Sequence, residues 1–232
     1  MSCRKPYTIT DYGFKSDLDS IVTEIQFYSP EIVRVVKSPK GFAFTKNSLS
    51  VIKEPAKVSF SVTRSDSFIV ASTEQIVVKQ NMATGAVSFF SPQGDVLLTE
   101  RAEGSVFLAK EDIGEATFAV KQVFVLDKDE YVYGLGQFQK GKMSQRNQEL
   151  KMVQDILETV VPLMLSNKGY GLFWDNYSPT VFKDSPENTS FDSEVGDCID
   201  YYFMVGANAD GVIAHMRDLT GEVPMMPYWT YG

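Results

Sequence analysis

Side chains along this chain alternate in character at every second position, in short runs that recur almost to its end. Ile21, Thr23, Ile25 and Phe27 share one face, and Val22, Glu24 and Gln26 share the other. Successive side chains of an extended strand point to opposite faces, so a period of two marks a half-buried β-strand. Ser29-Pro30 interrupts the run and Ile32 to Val36 resumes it. Val58 to Thr63, Ser67 to Ala71 and Gln75 to Lys79 read as further strands. Ala86 to Phe90 and Val96 to Thr99 flank Ser91-Pro92-Gln93-Gly94-Asp95, where proline and glycine supply turn dihedrals. Thr117 to Leu126 alternates again, and Val160 to Leu165 pairs with Tyr170 to Trp174 across Ser166-Asn167-Lys168-Gly169. Asp200 to Val205 closes the series.

Helical spacing occurs convincingly once. Val212, Ile213, Met216 and Leu219 fall on one helical face, Asn208 or Asp210 can cap the start, and Gly221 follows the end. Pro224 and Pro227 forbid continuation. Ten or more short strands with regular turns and one C-terminal helix predict an all-β fold, a β-sandwich. A βαβ barrel is excluded, because no helices alternate with the strands. No change of composition divides the chain. Its longest polar stretch without clear periodicity is 139–156, and loops of that length are often functional.

The net charge of −8 and a pI near 4.8 oppose a phosphate backbone, which argues against nucleic acid as a partner. No apolar run approaches the ~18 residues of a membrane span. Met1 to Thr10 is polar and lacks the apolar core of a signal peptide. A processed periplasmic or secreted protein and a cytoplasmic one, in a bacterium, fit equally. Cys3 and Cys198 make neither a disulfide framework nor a zinc site and read as free thiols. His215 is the only histidine, and no nucleophile-elbow pattern accompanies it. No metal and no cofactor is expected. Gly134-Leu135-Gly136 lacks the third glycine of a dinucleotide-binding turn and reads as a tight turn at a strand end. Asp127, Asp129 and Glu130 read as a solvated turn, and Asp175, Asp192, Glu194 and Asp197 as a solvated acidic face. Most of Tyr170, Phe173, Trp174 and Tyr177, and of Tyr228, Trp229 and Tyr231 at the end of the chain, read as core filling, although such faces also stack on sugars.

Four stretches together resemble the N-terminal domain of glycoside hydrolase family 31, the α-glucosidase and α-xylosidase group. Val132-Tyr133-Gly134-Leu135-Gly136-Gln137 is similar to the family's YGLGE, with Gln137 in place of the usual Glu. Thr159-Val160-Val161-Pro162-Leu163-Met164-Leu165-Ser166 is similar to its "IPF…S" strand. Lys168-Gly169-Tyr170-Gly171-Leu172-Phe173-Trp174-Asp175-Asn176 is similar to GYGLFWDN. Asp200-Tyr201-Tyr202-Phe203, Val205-Gly206, Leu219-Thr220-Gly221, Pro224 and Pro227-Tyr228-Trp229 resemble the segment that leads out of the domain.

The resemblance implies a galactose-mutarotase-like β-sandwich with one C-terminal helix. It implies residues 1–19 as an N-terminal tail, 20–221 as the accessory sandwich, and 222–232 as the start of a linker to a (β/α)8 catalytic barrel outside this chain. The family's nucleophile and acid/base carboxylates lie in that barrel, so no catalytic residue is expected here. The parent would be a retaining α-glycosidase that removes terminal α-linked glucose or xylose from an oligosaccharide, and this piece alone would be inactive. In family members the segment equivalent to Phe138–Glu158 reaches over the barrel mouth. Gln154-Asp155 stands where relatives often carry an Arg-Asp pair whose carboxylate touches the non-reducing sugar. Asp155 is therefore the first substrate-contact candidate, and Gln145, Arg146 and Asn147 are secondary ones. A free-standing carbohydrate-binding module is the alternative reading. A sugar epimerase on the same sandwich is disfavoured, because its proton transfers usually call on several histidines.

Overall fold

The computed structural model describes residues 7–18, 20–42 and 46–231. Two antiparallel sheets face each other. The first contains β1 (Tyr7–Thr10), β2 (Gly13–Leu18), β3 (Ile21–Ser29), β4 (Ile32–Pro39), β11 (Val132–Gln137), β13 (Thr159–Ser166), β14 (Tyr170–Trp174) and β17 (Ile199–Val205). The second contains β5 (Ser61–Arg64), β6 (Phe68–Ser72), β7 (Val77–Asn81), β8 (Val87–Phe90), β9 (Val96–Asp112), β10 (Glu115–Val125), β12 (Glu149–Met152), β15 (Thr180–Asp184) and β16 (Thr189–Ser193). The first sheet runs β1-β2-β3-β4-β17-β14-β13-β11 and the second β12-β15-β16-β10-β9-β8-β7-β6-β5. One helix, α1 (Ala209–Thr220), packs outside the first sheet, and a 3₁₀ turn spans Tyr228–Tyr231. The expected sandwich with a C-terminal helix is the observed fold.

Alternation sets which side chains enter the core. Ile25 and Phe27 of β3 are buried opposite Val35 and Val33 of β4, and Val120 and Phe124 of β10 are buried in the other sheet. Aromatic rings bridge the sheets. Phe89 stacks on Phe203 with centroids 4.1 Å apart, and Trp174 stacks on Phe191 at 5.2 Å. Such pairs add about 0.5–1.5 kcal/mol beyond area burial. β14 and β17 do not alternate because both of their faces are covered. On the outer face Val212 and Leu219 of α1 pack with Leu163, Phe173, Tyr202 and Met204. Asn208 caps the helix by accepting from the Gly211 amide at 2.9 Å.

The Gly134-Leu135-Gly136 turn is a β-bulge inside β11, where the register with β13 shifts. All three residues have positive φ, at 90°, 67° and 109°. A Cβ on Gly136 would lie 1.9 Å from the Thr159 carbonyl oxygen. Glycine is required there by both dihedral and space. Leu135 is thereby aimed into the core.

Several expectations are corrected. Among the described residues the first sheet already includes Tyr7, because β1 and β2 pair within the stretch read as a tail. The stretch 139–156 contains β12, paired with β15. Glu130 is buried rather than solvated: its Oε1 accepts from Ser166 Oγ at 2.6 Å and Tyr170 Oη at 2.5 Å. Burial first, and then Glu130, holds the Tyr170 phenol well above its usual range. Asp175 is also buried. Val96 to Thr99 is only the start of the 17-residue β9.

Candidate functional site at the exit end of the sandwich

Three features meet at one end of the sandwich. β13 begins there and β14 ends there, since Leu163 pairs with Phe173 across the two strands. Met152 of β12 pairs with Thr180 of β15, and both line the same cleft as Val160 and Trp174 of the first sheet. The loop from β12 to β13 therefore projects at this end. The chain also leaves here. The Leu219 carbonyl at the end of α1 accepts from the Ile52 and Lys53 amides, and Ser50 lines the cleft.

The loop tip is exposed. Asp155 reaches solvent, its Oδ1 accepting from the Ile156 amide at 2.7 Å and its own amide donating to the Glu158 carbonyl at 3.3 Å. Gln154 Oε1 accepts from the Val160 amide at 3.1 Å, which pins the tip to β13. Ile156 is 95% exposed and Leu157 is exposed beside it.

Gln145, Arg146 and Asn147 are not at the tip. The Gln145 amide donates to the Val132 carbonyl at 2.8 Å, and Val132 pairs with Ser166 at the far end of β13. Gln145 is buried, with Nε2 donating to the Gly134 carbonyl at 3.3 Å. Arg146 Nε donates to Asp184 Oδ2 at 3.0 Å, and its NH1 donates to the Asp127 carbonyl at 2.9 Å and to the Glu130 carbonyl. The Asn147 amide donates to the same Asp184 oxygen at 2.6 Å, with φ at 56°. These residues anchor the segment at its base, and β12 separates them from Asp155. The structure does not join them with Asp155 in one site.

The cleft beside the loop tip has a volume of about 300 Å3, with Ser50, Gln154, Asp175 and Tyr177 among its lining. A neighbouring cleft of about 550 Å3 shares Tyr177 and also includes Lys46 and Glu194. Behind them lies a compact charge cluster. Arg34 grips Asp200 with two bonds of 2.9 and 2.6 Å. Lys46 Nζ lies 3.8 Å from the Asp175 carboxylate and 3.7 Å from that of Asp200, and donates to the Asp175 carbonyl at 2.7 Å. Burial pushes the Asp200 carboxyl up; the Arg34 fork and Lys46 oppose this, and Asp175 adds to it. Sequence patterning carried no signal for Lys46, whose partners are more than a hundred residues away.

A larger groove of about 1240 Å3 opens at the opposite end, with Glu100, Arg101, Asp127 and Lys168 among its lining. It contains none of the predicted substrate-contact residues, so size alone does not mark the site. Among the described residues no group of three or more His, Cys, Asp or Glu could hold a metal ion, and no helix is long and apolar enough to cross a membrane.

The paired sheets and outer helix define a galactose mutarotase-like β-sandwich. Residues 22–183 match the model of the glycosyl hydrolase 31 N-terminal galactose mutarotase-like domain. The chain belongs to glycoside hydrolase family 31, as this N-terminal domain. It is 32% identical to an alpha-xylosidase of Saccharolobus solfataricus over 225 residues, covering 93% of this chain and 30% of that protein. It is 27% identical to alpha-glucosidase 2 of Bacillus thermoamyloliquefaciens, covering 97% and 30%. The chain thus spans about a third of the length of these relatives. Its fold matches the GH31 alpha-xylosidase of Xanthomonas citri with a TM-score of 0.89 at 18% identity, over 96% of this chain and 41% of that one. It matches the GH31 dextranase of Flavobacterium johnsoniae with a TM-score of 0.82 at 26% identity, over 97% and 29%.

Proposed function

We propose that this domain is the accessory sandwich of a retaining α-glycosidase that removes terminal α-linked glucose or xylose. A (β/α)8 catalytic barrel packs against the end where the chain leaves α1. The 153–158 loop enters its substrate pocket, and Asp155 accepts hydrogen bonds from sugar hydroxyls there. The observation that carries this reading is the convergence of chain exit, exposed loop tip and cleft on one end. Exposed apolar side chains support it: Ile156, Leu157 and Val161 on the loop side, and Met225, Tyr228 and Trp229 on the outgoing segment. Grouped exposure of that kind marks a surface that meets another body. The greater length of the relatives is consistent with it.

The domain contributes shape and one carboxylate, and leaves the acid–base chemistry to the barrel. Retaining hydrolysis needs two carboxyl groups about 5–5.5 Å apart around the scissile bond. The test compares the 232-residue chain with a version extended through a barrel of about 250 residues, on p-nitrophenyl α-glucoside and α-xyloside. Only the extended protein should turn over. In it, Asp155→Ala should raise KM by about tenfold or more, the scale of a lost charge-assisted hydrogen bond. Turnover by the 232-residue chain alone would refute the assignment.

A further inference from the structure

Tyr177 is fixed far more firmly than an exposed side chain needs to be. Its hydroxyl accepts from the Leu49 amide at 2.5 Å and donates to Ser48 Oγ at 3.3 Å. Ser48 Oγ in turn accepts from the Ser50 and Val51 amides at 3.2 and 2.8 Å, so the anchor is itself a closed turn. The Lys46 ammonium sits 4.5 Å from the ring centroid. The backbone on either side is also held. Asn176 Oδ1 accepts from the Ser178 amide and hydroxyl, both at 2.8 Å, and its Nδ2 donates to the Val195 carbonyl at 2.9 Å. Yet Tyr177 remains 50% exposed, on the rim shared by the two clefts.

With the hydroxyl tied and an ammonium against one face, the ring offers solvent its remaining face and edge. A rigid aromatic plane loses little conformational freedom on binding and presents apolar area beside polar groups. The neighbouring polar groups are Gln154 and Ser50 in the cleft wall, with Asp155 next in sequence. That combination suits a pyranose ring, which has an apolar C–H face and a rim of hydroxyls. We propose that Tyr177 is a stacking platform for one sugar of a neutral α-linked oligosaccharide lying along the 300 Å3 cleft. The proposal rests on the α-glycosidase reading above and adds to it a preference for oligosaccharides over substrates with a single sugar.

The first test uses the 232-residue chain with isomaltotriose and with maltotriose, followed by saturation-transfer NMR and ring chemical shifts. Weak saturable binding is expected, with sugar C–H protons close to the Tyr177 ring. Tyr177→Leu should weaken it about tenfold, the scale expected for losing one ring face of apolar contact. Tyr177→Phe, which keeps the ring, should stay within about threefold. Unchanged circular dichroism and melting temperature must accompany both variants. Equal binding by wild type and Tyr177→Leu, or no transfer to either trisaccharide, would overturn the platform.

The second test uses the extended enzyme. Tyr177→Leu should raise KM for the trisaccharides about tenfold, and KM for p-nitrophenyl monosaccharides, which reach the ring only through the aglycone, by less than about threefold. Equal loss on both substrate types, or a lower melting temperature, would make Tyr177 a domain-docking residue and overturn the proposal. If the platform fails while Asp155→Ala still raises KM, the α-glycosidase reading stands alone. If the extended protein hydrolyses neither glycoside while trisaccharides still saturate the Tyr177 ring, that reading falls and the platform remains.

Discussion

Replacing Glu100 by alanine should cost this domain a large part of its stability. The Glu100 side chain is fully buried between the sheets. Its Oε2 lies 2.5 Å from the Lys37 ammonium and accepts from the Val87 amide at 2.6 Å, while its Oε1 accepts from the Tyr201 hydroxyl at 2.7 Å. Lys37 is as deeply placed and keeps only the Ser105 hydroxyl at 2.9 Å and the Gly85 carbonyl at 3.4 Å. Glu100→Ala strands a buried ammonium, which costs about 3–5 kcal/mol. It also leaves two neutral donors without acceptors, at about 1–3 kcal/mol each before non-additivity. A net loss of about 4–6 kcal/mol is expected against a total of about 5–15 for a domain. Urea unfolding followed by tryptophan fluorescence gives the measurement, because Trp174 is buried while Trp229 is already exposed. With a slope of about 2–3 kcal/mol per molar, the midpoint should fall by about 2 M. The double variant Lys37→Met/Glu100→Leu removes the stranded charge and should be at least about 1 kcal/mol more stable than Glu100→Ala. A loss under about 1 kcal/mol for Glu100→Ala, or a double variant no better than the single, would refute this reasoning.

Three further outcomes follow from the geometry. Cys198 is buried and its thiol is pushed up to about 12, chiefly by burial and then by Asp200. The thiolate is therefore scarce at pH 8, and a Cys3→Ser variant should react with Ellman's reagent only after denaturant is added. Gly136→Ala combines a φ of 109° with a contact of 1.9 Å to the Thr159 carbonyl, so it should destabilise by at least about 3 kcal/mol in thermal or urea unfolding. Arg146→Ala leaves the buried Asp184 carboxylate without its guanidinium partner. It should cost about 3 kcal/mol in urea unfolding and speed amide exchange across 145–152 before global unfolding.

Half-buried strands such as β3 were readable because one face meets the core and the other meets solvent, although β1 and β2, with Lys15 and Asp17 on the outer face, were assigned to the tail. β14 and β17 lack alternation but were still found, as apolar runs bounded by turns. β12, β15 and β16 were missed: they are four or five residues long and carry polar side chains even at buried positions, such as Thr180, Thr189 and Ser193. Buried polar residues satisfied by one another, as when Trp174 Nε1 donates to Ser193 Oγ at 3.0 Å, look like loop residues in sequence. The same limit applies to the site. Asp155, a candidate by resemblance alone, sits on the exposed tip, whereas Arg146, which reads as a free donor, is held by Asp184 at the base of the segment. A sequence shows that a guanidinium exists; the partner that occupies it, Asp184, is set by register between distant strands.

The bulge in β11 also makes one sheet edge a poor template for edge-to-edge pairing. β11 is the outermost strand of its sheet, a position where another extended chain could add itself by backbone hydrogen bonds. Three successive residues with positive φ bend that rim out of the straight ladder such an intruder would need. Among the described residues the other three rims, β1, β5 and β12, are only four residues long. A sandwich with so much strand surface thus keeps its open borders short or crooked, and its sheets stop growing at their own boundaries.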